Sequence, residues 1–263
     1  MKGKDAFWVI LLLAIAGGLA YWWLQQDDRQ EPPPVEPAIR ETVEPAASGP
    51  RFPVPVAPLD DKPNVQPLPD LNASDDYLRI EIGQVFSPEI AVLLVNQALI
   101  ERIVATIDNL PRPQIAERIR PVKPLDTDFA AIGQDDSGEF LLGRDNYERY
   151  DALVTQLQSV DIAQMVELYR RYYPLFQKAY EGLGYPNAYF NDRLVEVLDH
   201  LLATPDPGTE ITLIRPNVLY EYADENLAAL SSGQKLLIRM GPENREKILA
   251  VIRVFRERVA FAD

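Results

Sequence analysis

The side chains in this sequence best suited to chemistry are carboxylates. Forty Asp and Glu stand against twenty-six Lys and Arg, one histidine and no cysteine, for a formal net charge of -14. Glycoside cleavage needs two carboxyl groups facing each other across a sugar, one protonated and one ionised. Asp135, Asp136 and Glu139 are close in sequence but fall on the tip of an expected hairpin, where solvated acidic turns are ordinary. Asp192 and Glu196 share a helix face at i, i+4, as solvated acidic pairs do. A Ser-His-Asp arrangement has only His200 to draw on. That residue sits beside Asp199, roughly 110° from the centre of its helix's apolar stripe, and reads as a flanking surface histidine. There is no G-x-S-x-G elbow, P-loop, H-E-x-x-H, G-x-G-x-x-G or twelve-residue calcium loop. The absence of cysteine excludes thiol catalysis, disulfides, lipoprotein-type acylation and thiolate metal sites, and a single imidazole disfavours zinc. No catalytic residue, metal ligand or cofactor is assigned.

A second set of polar residues gathers at expected helix ends. Asn109 closes one helix, and Arg112 and Arg120 line the proline-rich crossing that follows. Asn191 and Arg193 open another helix, and Gln234, Arg239 and Asn244 surround the corner Gly241-Pro242. Helix termini expose unpaired N–H and C=O groups, so these side chains are caps and braces on one reading. On the other they form a groove that holds a peptide or a glycan.

Hydrophobic periodicity supplies the elements that must position them. Ser74-Asp75-Asp76 caps a helix over Tyr77 to Val85, Ser87-Pro88-Glu89 starts a short one, and Leu99, Ile100, Ile103 and Ile107 mark a third, closed by Pro111. Asp128 to Gln134 and Glu139 to Leu142 read as a hairpin, followed by a helix from about Arg144 to Gln158. Ile162, Val166, Tyr169, Tyr173, Phe176, Tyr180 and Leu183 alternate steps of four and three along a helix from Asp161 to Leu183, which Pro174 is expected to kink. That aromatic series is core at this spacing, though it resembles a sugar-stacking platform. Phe190, Leu194, Val197, Leu198 and Leu201 mark the next helix, and Ile211 to Ile214 with Val218 to Tyr222 a second hairpin. A helix capped by Ser231-Ser232 ends at Gly241, and Pro242 begins the last, with Ile248, Ile252, Phe255 and Val259 inward. The expected fold is mainly α (α+β), a multi-helix globular domain with two small β-hairpins, over residues 77–263.

Two segments precede that domain. Residues 25–76 are rich in proline, with Pro32-Pro33-Pro34 and the run Pro53-Val54-Pro55-Val56-Ala57-Pro58, and favour polyproline II and open coil. Extended at about 3.1 Å per residue this linker reaches roughly 160 Å, and as a flexible coil it averages about 40 Å. It reads as a semi-rigid stalk, as a tether of indifferent length, or as a docking segment for a proline-binding groove. Before it, Phe7 to Leu24 runs without a charge, with Phe7 and Trp8 at one end and Tyr21, Trp22 and Trp23 at the other. Its helical length is about 27 Å, close to the roughly 30 Å hydrocarbon core of a bilayer. Lys2 and Lys4 precede it, so residues 1–6 are expected in the cytoplasm and the rest outside. Ala14-Ile15-Ala16 resembles a signal-peptide cleavage site, but the apolar run continues eight residues further, into an aromatic belt that a cleaved peptide does not need.

Charge bears on partners. Residues 77–263 hold twenty-eight Asp and Glu against twenty Lys and Arg, a net of -8, which argues against binding nucleic acid or lying flat on anionic lipid.

Thr106-Ile107-Asp108-Asn109-Leu110, Tyr173-Pro174-Leu175-Phe176-Gln177-Lys178-Ala179-Tyr180, Phe190-Asn191-Asp192-Arg193-Leu194 and Leu230-Ser231-Ser232-Gly233-Gln234-Lys235-Leu236-Leu237-Ile238-Arg239-Met240-Gly241 carry a likeness to a known family. Over about Ile80 to Val254, and in its anchor and linker, the chain resembles the bacterial family called domain of unknown function 3014. The resemblance implies a bacterial envelope protein and carries over no catalytic residue. The expectation is a single-pass protein of the inner membrane, anchored by Phe7–Leu24. Its outer domain is a non-enzymatic binding or scaffold module for a protein or cell-wall partner. The rival is a carboxylate-dependent hydrolase or lyase acting on cell-wall glycan, and a plain structural spacer is a third.

Overall fold

The computed structural model describes residues 49–55, 67–86, 88–123, 129–133, 138–158, 160–208, 210–216 and 219–261. Phe7–Leu24, most of the linker and the Asp135-Asp136 tip lie outside the described residues. Among the described residues no helix is long and apolar enough to cross a membrane.

After a short 3-10 turn at Leu71–Ala73, α1 (Asp75–Val85) and α2 (Pro88–Leu93) lead to α3 (Leu99–Asn109). Ser74 precedes α1, but its hydroxyl donates back to the Leu71 carbonyl at 2.7 Å and leaves the helix uncapped by a side chain. Asp75 caps a different helix. Its carboxylate accepts the N–H groups of Ala98 and Leu99 at 2.9 and 2.7 Å, at the start of α3. Eight of the eleven α3 residues are buried.

The crossing after α3 contains a 3-10 turn at Glu117–Ile119 and leads to β1 (Ala131–Gly133) and β2 (Glu139–Leu142). The helix expected from Arg144 to Gln158 is interrupted, forming α4 (Arg144–Glu148) and α5 (Asp151–Gln158). At the break Tyr150 is fully buried, and the Tyr147 carbonyl accepts from Tyr150 N–H and from the Asn244 amide, at 3.0 and 3.1 Å. An outside donor thus takes over a helical acceptor. α6 (Ile162–Gly182) is the longest helix, capped by Asp161 and running through Pro174 as one element. Its buried face is wider than the expected stripe. Tyr172 and Leu175 are buried as well, whereas Leu183 is 42% exposed. The cause is α1, which covers a second side of α6 and whose Glu81 accepts from the Tyr172 hydroxyl at 3.0 Å.

α7 (Phe190–Leu202) is followed by β3 (Thr212–Ile214), β4 (Glu221–Tyr222), α8 (Glu225–Ala228), α9 (Ser232–Arg239) and α10 (Pro242–Val259). Ile248, Ile252, Phe255 and Val259 of α10 are buried against α5, α6 and α7. The aromatic residues of α6 pack as core. Phe176 stacks on Phe190 at 5.7 Å between centroids, and Tyr169 lies 6.3 Å from Phe255.

The two expected hairpins are one sheet. Four antiparallel strands follow the order β1-β2-β3-β4, with Phe140 paired to Leu213 across β2 and β3. A lone two-stranded hairpin is marginal in water, and joining the two buries a common face. Phe140, Leu142, Ile211, Leu213 and Tyr222 form a small second core, closed by Ile238 of α9.

Candidate functional site

The polar residues singled out in the sequence occupy separate places. At the first, α3 ends where α9 begins. Helix α9 offers unpaired N–H groups, and the carbonyls of the turn that follows α3 accept them. Ser232 N–H donates to the Arg112 carbonyl at 2.8 Å, and Gly233 N–H to the Leu110 carbonyl at 3.0 Å. A Cβ on Gly233 would lie 2.7 Å from a Leu201 methyl and 3.2 Å from the Leu110 oxygen, so only glycine permits the approach without displacement. Ser231 and Gln234 form a capping box over the same helix start. Gln234 also donates to the His200 carbonyl, and His200 Nε2 lies 2.8 Å from Ser231 Oγ. Burial, and secondarily Arg193, hold the His200 imidazole below its ordinary 6.5. The Ser231 hydroxyl is buried and committed to the cap, so the pair is structural.

Beside this junction Asp108 of α3, 4% exposed, is the acceptor for three side chains. Arg193 donates to its carboxylate and its backbone carbonyl, both at 2.8 Å, while Arg112 and Tyr185 reach the other carboxylate oxygen at 3.5 Å. Asn109 turns back to its own helix, donating to the Ala105 carbonyl at 2.7 Å. Asn109, Arg112, Arg193 and Gln234 are therefore brought near one another as braces. Arg120 is elsewhere, buried after the 3-10 turn whose Ile119 carbonyl accepts from Thr106.

Arg239 and Asn244 meet around α4. The buried Asn146 donates to the Arg239 carbonyl at 2.9 Å, and Arg239 lies 5.8 Å over the Tyr222 ring. Asn244 donates to Tyr147, Asp151 and Met240. Gly241 joins α9 to α10 at φ 83°, and a Cβ there would meet the Tyr147 ring at 2.5 Å. Glycine is required there both for its backbone and for its lack of a side chain.

Asn191 stands at the third place, with company the sequence reading left in the linker. Residues 51–55 lie along α6, α7 and the end of α10. The Asp192 carboxylate accepts the consecutive N–H groups of Arg51 and Phe52 at 3.0 and 2.9 Å. The wholly buried Asn191 amide donates to the Phe52 and Val259 carbonyls at 2.8 and 2.9 Å, and its oxygen accepts from Tyr169 at 2.8 Å. Arg170 takes the Pro55 carbonyl with two nitrogens, each at 3.1 Å. Phe52 and Val54 pack on the main core, while Arg51, Pro53 and Pro55 point outward. The Arg51 guanidinium pairs with Glu196, and Arg256, itself forked onto Asp199, sits 5.9 Å over the Phe52 ring. Asp192 and Glu196 are thus the acidic side of the groove that residues 51–55 occupy, where the sequence suggested a solvated pair. Arg51, Phe52, Arg170 and Arg256 were missed. The only signal for Arg51 and Phe52 was an arginine and a large aromatic residue beside a proline run, and Arg170 and Arg256 read as ordinary helix-surface cations.

The family model described as "Protein of unknown function (DUF3014)" matches residues 99–256. The chain belongs to this family. The DUF3014 match takes in α3 to α10 nearly whole, with Arg170, Asn191, Asp192, Glu196 and Arg256, and leaves residues 51–55 outside it. No curated protein and no solved structure matches the chain.

Proposed function

We propose that this chain is a membrane-anchored bacterial envelope protein whose outer domain is a non-enzymatic binding module. Phe7–Leu24 is its single span of the inner membrane, with the domain on the periplasmic side. The proline-rich linker keeps the domain at a distance from the lipid. One observation carries the binding reading: the domain holds a proline-rich segment through that segment's own backbone, on residues 170, 191 and 192. Side chains that grip main-chain groups of an extended segment supply affinity, as in peptide-binding domains, and leave selectivity to the side-chain contacts beside them. The rival hydrolase asks for two carboxylates facing one cleft. Among the described residues, Asp108 is tied to Arg193, and Asp192 with Glu196 is occupied by Arg51, so neither place offers that pair.

The test is crosslinking in the intact envelope from a photoreactive residue at position 196, with the adducts identified by mass spectrometry. The proposal expects a defined envelope protein whose crosslinking is reduced by Asp192→Ala. Adducts of wall glycan cleaved by the protein would overturn it. Thiol labelling of cysteines placed at residues 40 and 60 checks sidedness, and protection of both from an impermeant reagent in cells with opened outer membranes would place the domain in the cytosol.

A further inference from the structure

We propose that the groove between α6, α7 and α10 is a receptor for extended peptides that read arginine, aromatic residue, proline. The chain fills it with its own residues 51–55, and a partner segment of the same chemistry enters by displacing them. This rests on the binding-module reading above and names the ligand class.

The recognition chemistry is specific in direction and in sequence. Asp192 needs two consecutive N–H donors, which excludes proline at the positions of Arg51 and Phe52 and fixes the strand's direction. Asn191 is wholly buried, and one of its two amide hydrogens has the Phe52 carbonyl as its acceptor. An empty groove exchanges that bond for one to water, and refilling restores it. The carboxylates of Asp192 and Glu196 select a cation at the Arg51 position. The ring at the Phe52 position packs on the core beneath the Arg256 guanidinium, where aromatic faces attract cations. Pro53 and Pro55 have no N–H to leave unsatisfied and hold the backbone extended. The wall residues Arg170, Asn191, Asp192, Glu196 and Arg256 lie inside the family match and the strap outside it.

A ligand tethered on the same chain faces its site at an effective concentration in the millimolar range. A competitor therefore sees an apparent affinity lowered by the fraction of time the groove is filled. The strap acts as a built-in threshold. Only a partner that is locally concentrated, or that binds better than Arg51-Phe52-Pro53, displaces it.

The experiment uses the full chain in detergent micelles and a fluorescent synthetic peptide with the sequence of residues 49–55. In one variant, Arg51→Glu with Phe52→Ala, the strap is repelled by Asp192 and Glu196 and loses its ring. This variant is expected to bind the peptide saturably, at least about tenfold more tightly than the wild type. Adding Asp192→Ala to it should abolish binding, and a scrambled peptide should not bind. In the wild type, excess peptide should speed hydrogen exchange at the Arg51 and Phe52 amides, a readout that does not depend on the variant folding. Absence of saturable binding to a variant that melts like the wild type would overturn the proposal. So would equal binding with and without Asp192, or wild-type amides that ignore excess peptide. A concentration-dependent dimer, with residue 51 crosslinked to position 196 of a second copy, would replace displacement in cis by exchange between copies. If the peptide fails while envelope crosslinking still catches a partner, the ligand class is wrong and the binding-module reading stands.

Discussion

At Gly241 two demands coincide, a left-handed backbone and contact with the face of Tyr147. Gly241→Ala should cost about 3 kcal/mol, combining roughly 1–2 for the backbone with overpacking against the ring. Gly233 has only the steric demand, and Gly233→Ala should cost less, about 1–2 kcal/mol. Urea denaturation that ranked the two the other way would contradict this reading of the corner. His200 gives a pH-dependent counterpart. Its folded pKa lies below 6.5, so the unfolded chain binds a proton that the folded chain refuses. That destabilises the fold as pH falls from about 6.5 towards the folded pKa and has no effect above that range. Between pH 7.5 and 5, wild type should therefore lose more melting temperature than His200→Gln, the carboxylates contributing equally to both.

Among the elements, what the sequence disclosed was local. Helices α3, α6, α7 and α10 announced themselves through Ile103, Tyr169, Leu198 and Ile252 at helical spacing, because one-sided burial imposes that period. The capped helix start at Ser231 was equally plain. The role of its neighbours was not, since the acceptors for Ser232 and Gly233, the Leu110 and Arg112 carbonyls, lie just past the end of α3, more than a hundred residues earlier. The same limit hid the join of β2 to β3 and the attachment of Phe52 to Asp192, 140 residues apart. Of the eight polar residues proposed as a groove, Asn191 hydrogen-bonds to the strap, and most of the others brace helix ends. Asp108 is the brace with most partners. Asp108→Ala leaves the Arg193 guanidinium, 26% exposed at its side chain, without its main counter-charge. The expected loss is about 2–4 kcal/mol, set by an ion stranded where water reaches it poorly. A change below about 0.5 kcal/mol in chemical denaturation would show the cluster to be ornamental.

For the molecule as a whole, the groove and the linker bear on one another. Docking of residues 51–55 takes part of the proline-rich stretch out of the free tether, so occupancy of the groove and reach of the domain are coupled. With the strap in place, residues 25–50 have an extended reach of about 80 Å, against about 130 Å for residues 25–66 once it is released, since Leu68 and Leu71 also pack on the core. A partner that displaces the strap would lengthen the tether at the moment it binds. Burial explains why the docked state is preferred: Phe52 and Val54 cover core that the helices leave open, and Asn191 gains its last acceptor.

The most direct measurement is amide hydrogen exchange at Arg51 and Phe52 in the full chain, compared with Asp192→Ala. The account predicts slowed exchange at both amides in the wild type, lost in the variant while α3 and α10 keep their protection. Exchange at the rate of an open chain in the wild type would mean that the groove holds nothing, and the binding module built on it would fall.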